Sequence, residues 1–277
     1  MSSEPNTMNV FILRSLVHYL DEQNWEKVES SLEPTINYNG QLQSATEFFS
    51  QQSNLVDPSN RLERKFDSVI LDGNGDSVAA RIIHCVALPE SPEAGFEFQE
   101  IVFAWFANNR LSRWQALRDE DGFQARHATV YKTPHESYTG RVPSPDASLD
   151  LEEHYRAYIN SINRKTMDSD FAHFCQPELE HNGRKLSISE YIPLISDSQS
   201  CIQGLSFHVQ ELLVDNRTQQ IAARLEFTGT PVKEWGGPKP NGKPVHFHEQ
   251  VMYQLNEGKI VRVWSVVELD AYRKQLS

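Results

Sequence analysis

Two spacings of apolar residues alternate along the chain, and the whole series is run through twice. Phe11, Leu13, Leu16, Val17 and Leu20 fall on one helical stripe, as do Tyr155, Tyr158, Ile159 and Ile162. Each stripe predicts an amphipathic helix at the start of its half. A second helical stretch carries Trp25 and Val28, or Phe171 and Phe174. The chain then turns at Pro34 or Pro177 into a short strand that ends in Asn-Gly, a strong turn signal. Ser44 with Glu47, and Ser187 with Glu190, follow at the spacing of a capping box. In that motif the serine hydroxyl accepts from the amide three residues on, and the glutamate carboxylate accepts from the cap amide. A short helix is predicted after each box, through Phe48–Phe49 and Tyr191–Ile195.

The remainder of each half is strand-like. In the second half Leu205–Val214, Gln220–Thr228, Val245–Leu255 and Lys259–Leu269 read as strands, with a long Gly/Pro loop at Gly229–Pro244. Phe66–Leu71, Ser77–Ala87, Phe96–Ala107 and Arg110–Leu117 match them in the first half. A fixed register holds: the segments Pro34 to Gly40 and Pro177 to Gly183 begin and end alike, and Ala79-Ala80-Arg81 matches Ala222-Ala223-Arg224, both 143 positions apart. A repeat of that length is a duplicated domain. The expected organisation is a domain over residues 8–123, a polar linker over 124–149 with Pro134, Pro143 and Pro145, and a second domain over 150–277. Helices followed by a meander define an α+β class: two tandem units, each with helices packed on a curved antiparallel sheet and a pocket between the layers.

A net charge of −12 argues against nucleic acid or an anionic membrane surface as the main partner. No run approaches the roughly 20 apolar residues of a membrane span, and the first seven residues lack the basic region of a secretion signal. Cys85, Cys175 and Cys201 are odd in number and lack metal spacing. A cytoplasmic, reducing location is therefore expected.

His181 alternates with Leu179, so it points inward as a candidate base or donor; Tyr38 holds its place in the first half. The alternative is a core histidine satisfied by backbone. Glu249 shares a strand face with Phe247, Val251, Tyr253 and Leu255, and a carboxylate there needs a partner or a raised pKa. Glu100 occupies the same place in the first half, which leaves open an architectural pairing with Arg224 or Arg81. Arg224 lies on the face of Glu226 and Thr228, as an ion-pair, interface or substrate-binding residue. Tyr253, Trp264, Tyr191 and Trp235 are candidate linings of an apolar pocket, against simple core roles, with Trp235 placed as a lid by its loop. His246 and His248 share a strand face, but Glu249 points the other way and no third ligand stands at suitable spacing, so no metal is expected. Nucleophile-elbow and phosphate-loop motifs are absent.

Several pieces of the second half form a recognisable set: His181-Asn182-Gly183, Ala222–Pro231, Pro240-Asn241-Gly242-Lys243-Pro244-Val245, and Glu257-Gly258-Lys259-Ile260 followed by Val263-Trp264-Ser265. Through them, nearly all of Leu151–Leu276 resembles the SnoaL-like polyketide cyclase and ester cyclase branch of the NTF2-like superfamily. The first half keeps the element order without the Gly-Thr-Pro and Pro-Asn-Gly pieces, so its place rests on the repeat. The resemblance implies two cone-shaped NTF2-like barrels, paired as a pseudo-dimer within the chain, with further homo-oligomerisation compatible with that fold. It also implies acid/base chemistry without metal or cofactor. Ser265 departs from the pattern where the cyclases often carry an acid/base aspartate, and Val251 where they carry a strand histidine. The functional expectation is a cofactor-independent cyclase or isomerase of secondary metabolism, acting on a small, largely apolar, polyketide- or terpenoid-like metabolite. His181 and Glu249 would exchange protons and Arg224 would steady an oxyanion. The alternative is a non-catalytic module that binds small molecules or proteins.

Overall fold

The computed structural model describes residues 7–73, 75–127, 129–134 and 149–277. The chain divides into two units, residues 1–133 and 134–277. Residues 1–6, read above for a targeting signal, and Pro143 and Pro145 of the expected linker lie outside the described residues.

In the first unit, helices α1 (Met8–Asp21) and α2 (Trp25–Ser30) lead into strands β1 (Leu32–Tyr38) and β2 (Gln41–Ser44), then helix α3 (Ala45–Ser53). The α1 stripe buries Leu13, Leu16, Val17 and Leu20, while Phe11 stays exposed. The capping box before α3 forms as expected: the Ser44 amide donates to Glu47 at 2.8 Å and the Glu47 amide to the Ser44 hydroxyl at 3.3 Å. Strands β3 (Arg61–Leu71), β4 (Ser77–Leu88), β5 (Ser91–Ala107) and β6 (Arg110–Arg118) then form a meander, followed by helix α4 (Glu120–Ala125). The sheet order is β2-β1-β6-β5-β4-β3.

The second unit repeats this order. Helices α5 (Leu151–Asn163) and α6 (Met167–Phe174) precede β7 (Cys175–His181), β8 (Arg184–Ser187) and helix α7 (Ile188–Cys201). Strands β9 (Ile202–Asp215), β10 (Gln220–Pro231), β11 (Val245–Asn256) and β12 (Lys259–Val267) follow, then helix α8 (Leu269–Leu276). Its sheet runs β8-β7-β12-β11-β10-β9. These are two NTF2-like α+β units, as the repeat predicts.

Two features differ from expectation. Each sheet is mixed rather than wholly antiparallel, because β1 runs parallel to β6 and β7 parallel to β12. Helices α4 and α8 also close the units where strand was expected to end. The signal for α8 lies in Leu269, Tyr272 and Leu276, whose spacing of three and four is helical. Tyr272 is fully buried, its ring 5.1 Å from those of both Trp235 and Phe247. Beyond α4, residues 130–133 lie on the first unit: the Thr133 amide donates to Asp67 and the Tyr131 carbonyl accepts from Arg81.

The parallel strand is short, and a side chain at its end secures it. Asn182 (φ 47°) and Gly183 (φ 80°) both take the left-handed backbone that a tight two-residue hairpin needs. That turn aims the Asn182 amide at β12, where it accepts from the Ser265 N–H at 2.9 Å and donates to the Ser265 carbonyl at 3.0 Å. In the first unit Asn39 (φ 49°) accepts from the Ala116 N–H at 2.8 Å.

Replacing Asn182 by alanine removes both bonds and puts a β-carbon-bearing, non-Asn residue at positive φ. We expect a loss of about 2–4 kcal/mol, with N182G losing less because it relieves the backbone term. Urea denaturation of both variants checks this, and equal losses in the two would contradict the backbone contribution.

Candidate functional site

The core of the second unit is not filled completely. A cavity of about 130 Å³ remains between α5, α7 and the concave sheet face. Strand alternation decides what reaches it. Leu225 and Phe227 on β10, Phe247, Glu249 and Tyr253 on β11, and Val263 and Ser265 on β12 all line it. From the helical layer come Tyr158 and Tyr191, and from the end of β7 comes His181. Trp235 of the long loop completes one end, with its ring 6.0 Å from that of Phe247.

Five of the residues expected from sequence thus share one cavity: His181, Glu249, Tyr253, Tyr191 and Trp235. The other two do not. Arg224 sits between Ala223 and Leu225 on β10 and projects from the opposite face, where its Nε donates to Gln210 at 3.2 Å. Trp264 is buried on that same outer side, in register with Met252. Both corrections have one reason: neighbours on a strand alternate faces. The suggested pairing of Glu249 with Arg224 fails on the same ground. Its counterpart in the first unit fails too, since Arg81 bonds Asp67 at 2.6 Å and Gln99 at 2.7 Å.

Glu249 is set in the cavity wall and, among the described residues, takes one hydrogen bond, from the Ser265 hydroxyl. Burial pushes its carboxyl up to about 7, with the Ser265 bond opposing the rise. His181 moves the other way. Burial, with a smaller push from Arg184, lowers it to about 4, so the imidazole is neutral at pH 7. No hydrogen bond joins His181 to Glu249 among the described residues. The Tyr158 and Tyr191 hydroxyls lie 3.0 Å apart, and burial raises both well above the ordinary phenol range, so both stay protonated.

Residues 152–276 match the family model described as SnoaL-like polyketide cyclase. The second unit belongs to the SnoaL-like polyketide cyclase family. Among solved structures, a SnoaL-like polyketide cyclase from Agrobacterium tumefaciens is 34% identical, covering 47% of this chain and 99% of that one, with a TM-score of 0.43. AclR, a putative hydroxylase from Streptomyces galilaeus, is 18% identical over 46% of this chain and 94% of its own, with a TM-score of 0.40. IdmH, a putative polyketide cyclase from Streptomyces antibioticus, is 16% identical over 46% and 99%, with a TM-score of 0.41. No curated protein matches the chain.

Sequence reasoning treated Ser265 only as a departure from the SnoaL-like pattern. In the folded unit it is the hydrogen-bond partner of Glu249. Tyr158 was read only as part of a helical stripe, yet its hydroxyl faces the SnoaL-like cavity. The first unit carries a different arrangement at the same place. Glu100 lies in register with Ile82 as Glu249 does with Leu225, but it bonds His84 Nε2 at 3.1 Å. Both are buried, and the His84 ring stacks on Phe98 at 4.5 Å. Ala116 stands in the place of Ser265 there, and the larger Trp114, paired with Tyr38, in the place of Val263. Neither His84 nor Glu100 lines the first unit's open cavity of about 610 Å³, which lies along α1, α3 and the start of β3.

The raised Glu249 pKa has a sign that can be measured. Its folded value of about 7 stands above the unfolded value of 4.5. The carboxyl therefore favours the folded state at low pH, and that advantage is lost as pH rises from 4.5 through 7. E249Q does not titrate, so relative to the wild type it should gain roughly 3 kcal/mol between pH 4 and 8. Urea denaturation at the two pH values reads this difference. S265A removes the opposing hydrogen bond and should raise the Glu249 midpoint further in a carboxyl-¹³C titration. A midpoint near that of a solvated glutamate in the wild type would sink this account.

Proposed function

We propose that the second unit is a cofactor-independent acid/base cyclase or isomerase acting on a small, largely apolar metabolite. The observation that carries this reading is Glu249: a carboxyl poised near neutrality, without a cationic partner among the described residues, facing a cavity that apolar side chains and a few polar groups line. A group whose pKa lies near the working pH is effective in both halves of a proton transfer. In the proposed reaction Glu249 takes a proton from carbon beside a substrate carbonyl. It returns that proton after the double bond has moved or the ring has closed. Ser265 orients the carboxylate through its hydroxyl.

His181 has a narrower role here than mutual proton exchange with Glu249. With a pKa of about 4 it stays neutral through the transfer and serves as a hydrogen-bond donor to the substrate oxygen. The Tyr158–Tyr191 hydroxyl pair supplies further donors, in the part first assigned to Arg224. Cavity size limits the substrate. An engineered cavity of about 150 Å³ holds a benzene molecule, whereas drug-sized ligands occupy about 300 Å³ or more. A volume of about 130 Å³ therefore favours a one-ring or short-chain polyketide or terpenoid fragment over a polycyclic one.

Metabolite profiling of cells carrying the wild type, E249Q or H181A tests the proposal. E249Q should accumulate substrate and lower turnover by about 10²–10⁴-fold, with H181A less severe. The kcat/KM of the wild type should rise with pH through about 7 and lose that limb in E249Q. Unchanged turnover in both variants would remove these residues from the mechanism. Ligand that co-purifies unaltered with wild type and E249Q alike would favour the binding module.

A further inference from the structure

The outer face of the second unit's sheet gathers a group of side chains that the cavity chemistry does not use. Glu226 on β10 stands directly across from His248 on β11, and His246 lies two residues before His248 on the same face. One donor atom from each of the three falls within 4.8 Å of the others. His246 Nε2 already lies 2.5 Å from Glu226 Oε1. This corrects the expectation that the histidine pair has no third ligand. That partner is 20 residues away in sequence and comes from the neighbouring strand.

We propose that Glu226, His246 and His248 form a binding site for a divalent transition cation of the zinc type. Two imidazoles and one carboxylate are a donor set that suits zinc, and hard magnesium is served poorly by it. Bonds of about 2.1 Å put donors roughly 3.4 Å apart on a tetrahedral ion, so modest side-chain rotation closes this group around one. His246 is half exposed, which leaves the fourth position to water.

Glu268 gives independent support. Its carboxylate sits 2.8 Å from His248 Nδ1 and accepts from the His248 backbone N–H at 3.1 Å. A ring held at Nδ1 by a carboxylate leaves Nε2 for a metal, the usual arrangement behind a ligating histidine. Two carboxylates beside the two imidazoles also make the patch attractive to a cation. The site lies on the face opposite Glu249, because positions 226, 246 and 248 alternate with 225, 247 and 249. It is thus separate from the proposed acid/base chemistry. A bound ion would tie β10 to β11 and, through Glu268, to the start of α8.

The test is calorimetric titration of zinc chloride into the full chain, stripped with chelator and desalted into a non-coordinating buffer near neutral pH. Saturable binding of one zinc per chain is expected, with a rise in melting temperature that chelator reverses. Magnesium chloride should give no saturable heat. H246A and H248A should each weaken binding by about 100-fold or more, and E268Q by about 10-fold through the second sphere. H18A, in the first unit, serves as the control and should bind as the wild type does. Circular dichroism confirms that each variant is folded, and E226Q supplies a further ligand deletion with little change in volume. Absence of saturable zinc binding by the wild type would overturn the proposal. So would binding that persists undiminished in both H246A and H248A.

Discussion

The grip of Asn182 on Ser265 is the contact on which the second unit's interior depends. Strand β7 meets β12 through only a short parallel ladder, yet it carries His181 to the cavity. A parallel strand has no tight turn to tie it to its partner, since its direction requires a long crossover. Here the hairpin to β8 is used for that purpose, with the Asn side chain standing in for ladder bonds that β7 is too short to make. The residue it grips is the one whose hydroxyl holds Glu249. Backbone attachment and carboxylate orientation are therefore coupled through one serine, and the geometry of the acid is tied to a turn at the sheet's β7–β8 edge.

Comparison of the two units separates what the fold requires from what the chemistry requires. An inward glutamate at this point of β5 or β11 is shared, and so is the Asn-Gly corner. The partner of the glutamate is not shared. In the first unit a buried histidine satisfies Glu100, and burial holds that histidine below its ordinary pKa. The His84 ring stacks on Phe98, and Trp114 is buried against Phe48. In the second unit a small serine does the bonding, and the smaller Val263, at the place of Trp114, lines the cavity. A carboxyl that must stay beside apolar wall can take a hydrogen-bonding partner or can hold its proton. The first unit bonds its carboxylate to a histidine, and the second raises the pKa.

Much of this was legible from the order of residues. The helical stripes, both capping boxes and the Asn-Gly corners are local features, and local hydrogen bonding and periodicity determine them. The duplicated register extended the reading from one half to the other. Face assignment by alternation also placed Glu249 and Tyr253 inward, and the same rule, applied strictly, puts Arg224 and Trp264 outward. What escaped were pairings across strands. Whether Glu226 meets His248, or Glu100 meets His84, depends on the register between neighbouring strands, and alternation within a single strand does not contain that information. The parallel course of β1 and β7 escaped for a similar reason, because it is decided by how the chain crosses the sheet.

The long loop between β10 and β11 shows how one local choice serves both faces of the sheet. It returns the chain so that Phe247 aligns with Phe227 and, one residue on, His248 aligns with Glu226. A slip of β11 by one residue would exchange the two sets, turning His246 and His248 into the cavity and Phe247 and Glu249 to the outside. Trp235 argues that this does not occur freely. Its ring packs against both Phe247 and Tyr272, so the loop is anchored to the strand whose register it sets and to the helix that follows β12. The apolar contacts that close the cavity thereby also determine which donors stand together on the outer face.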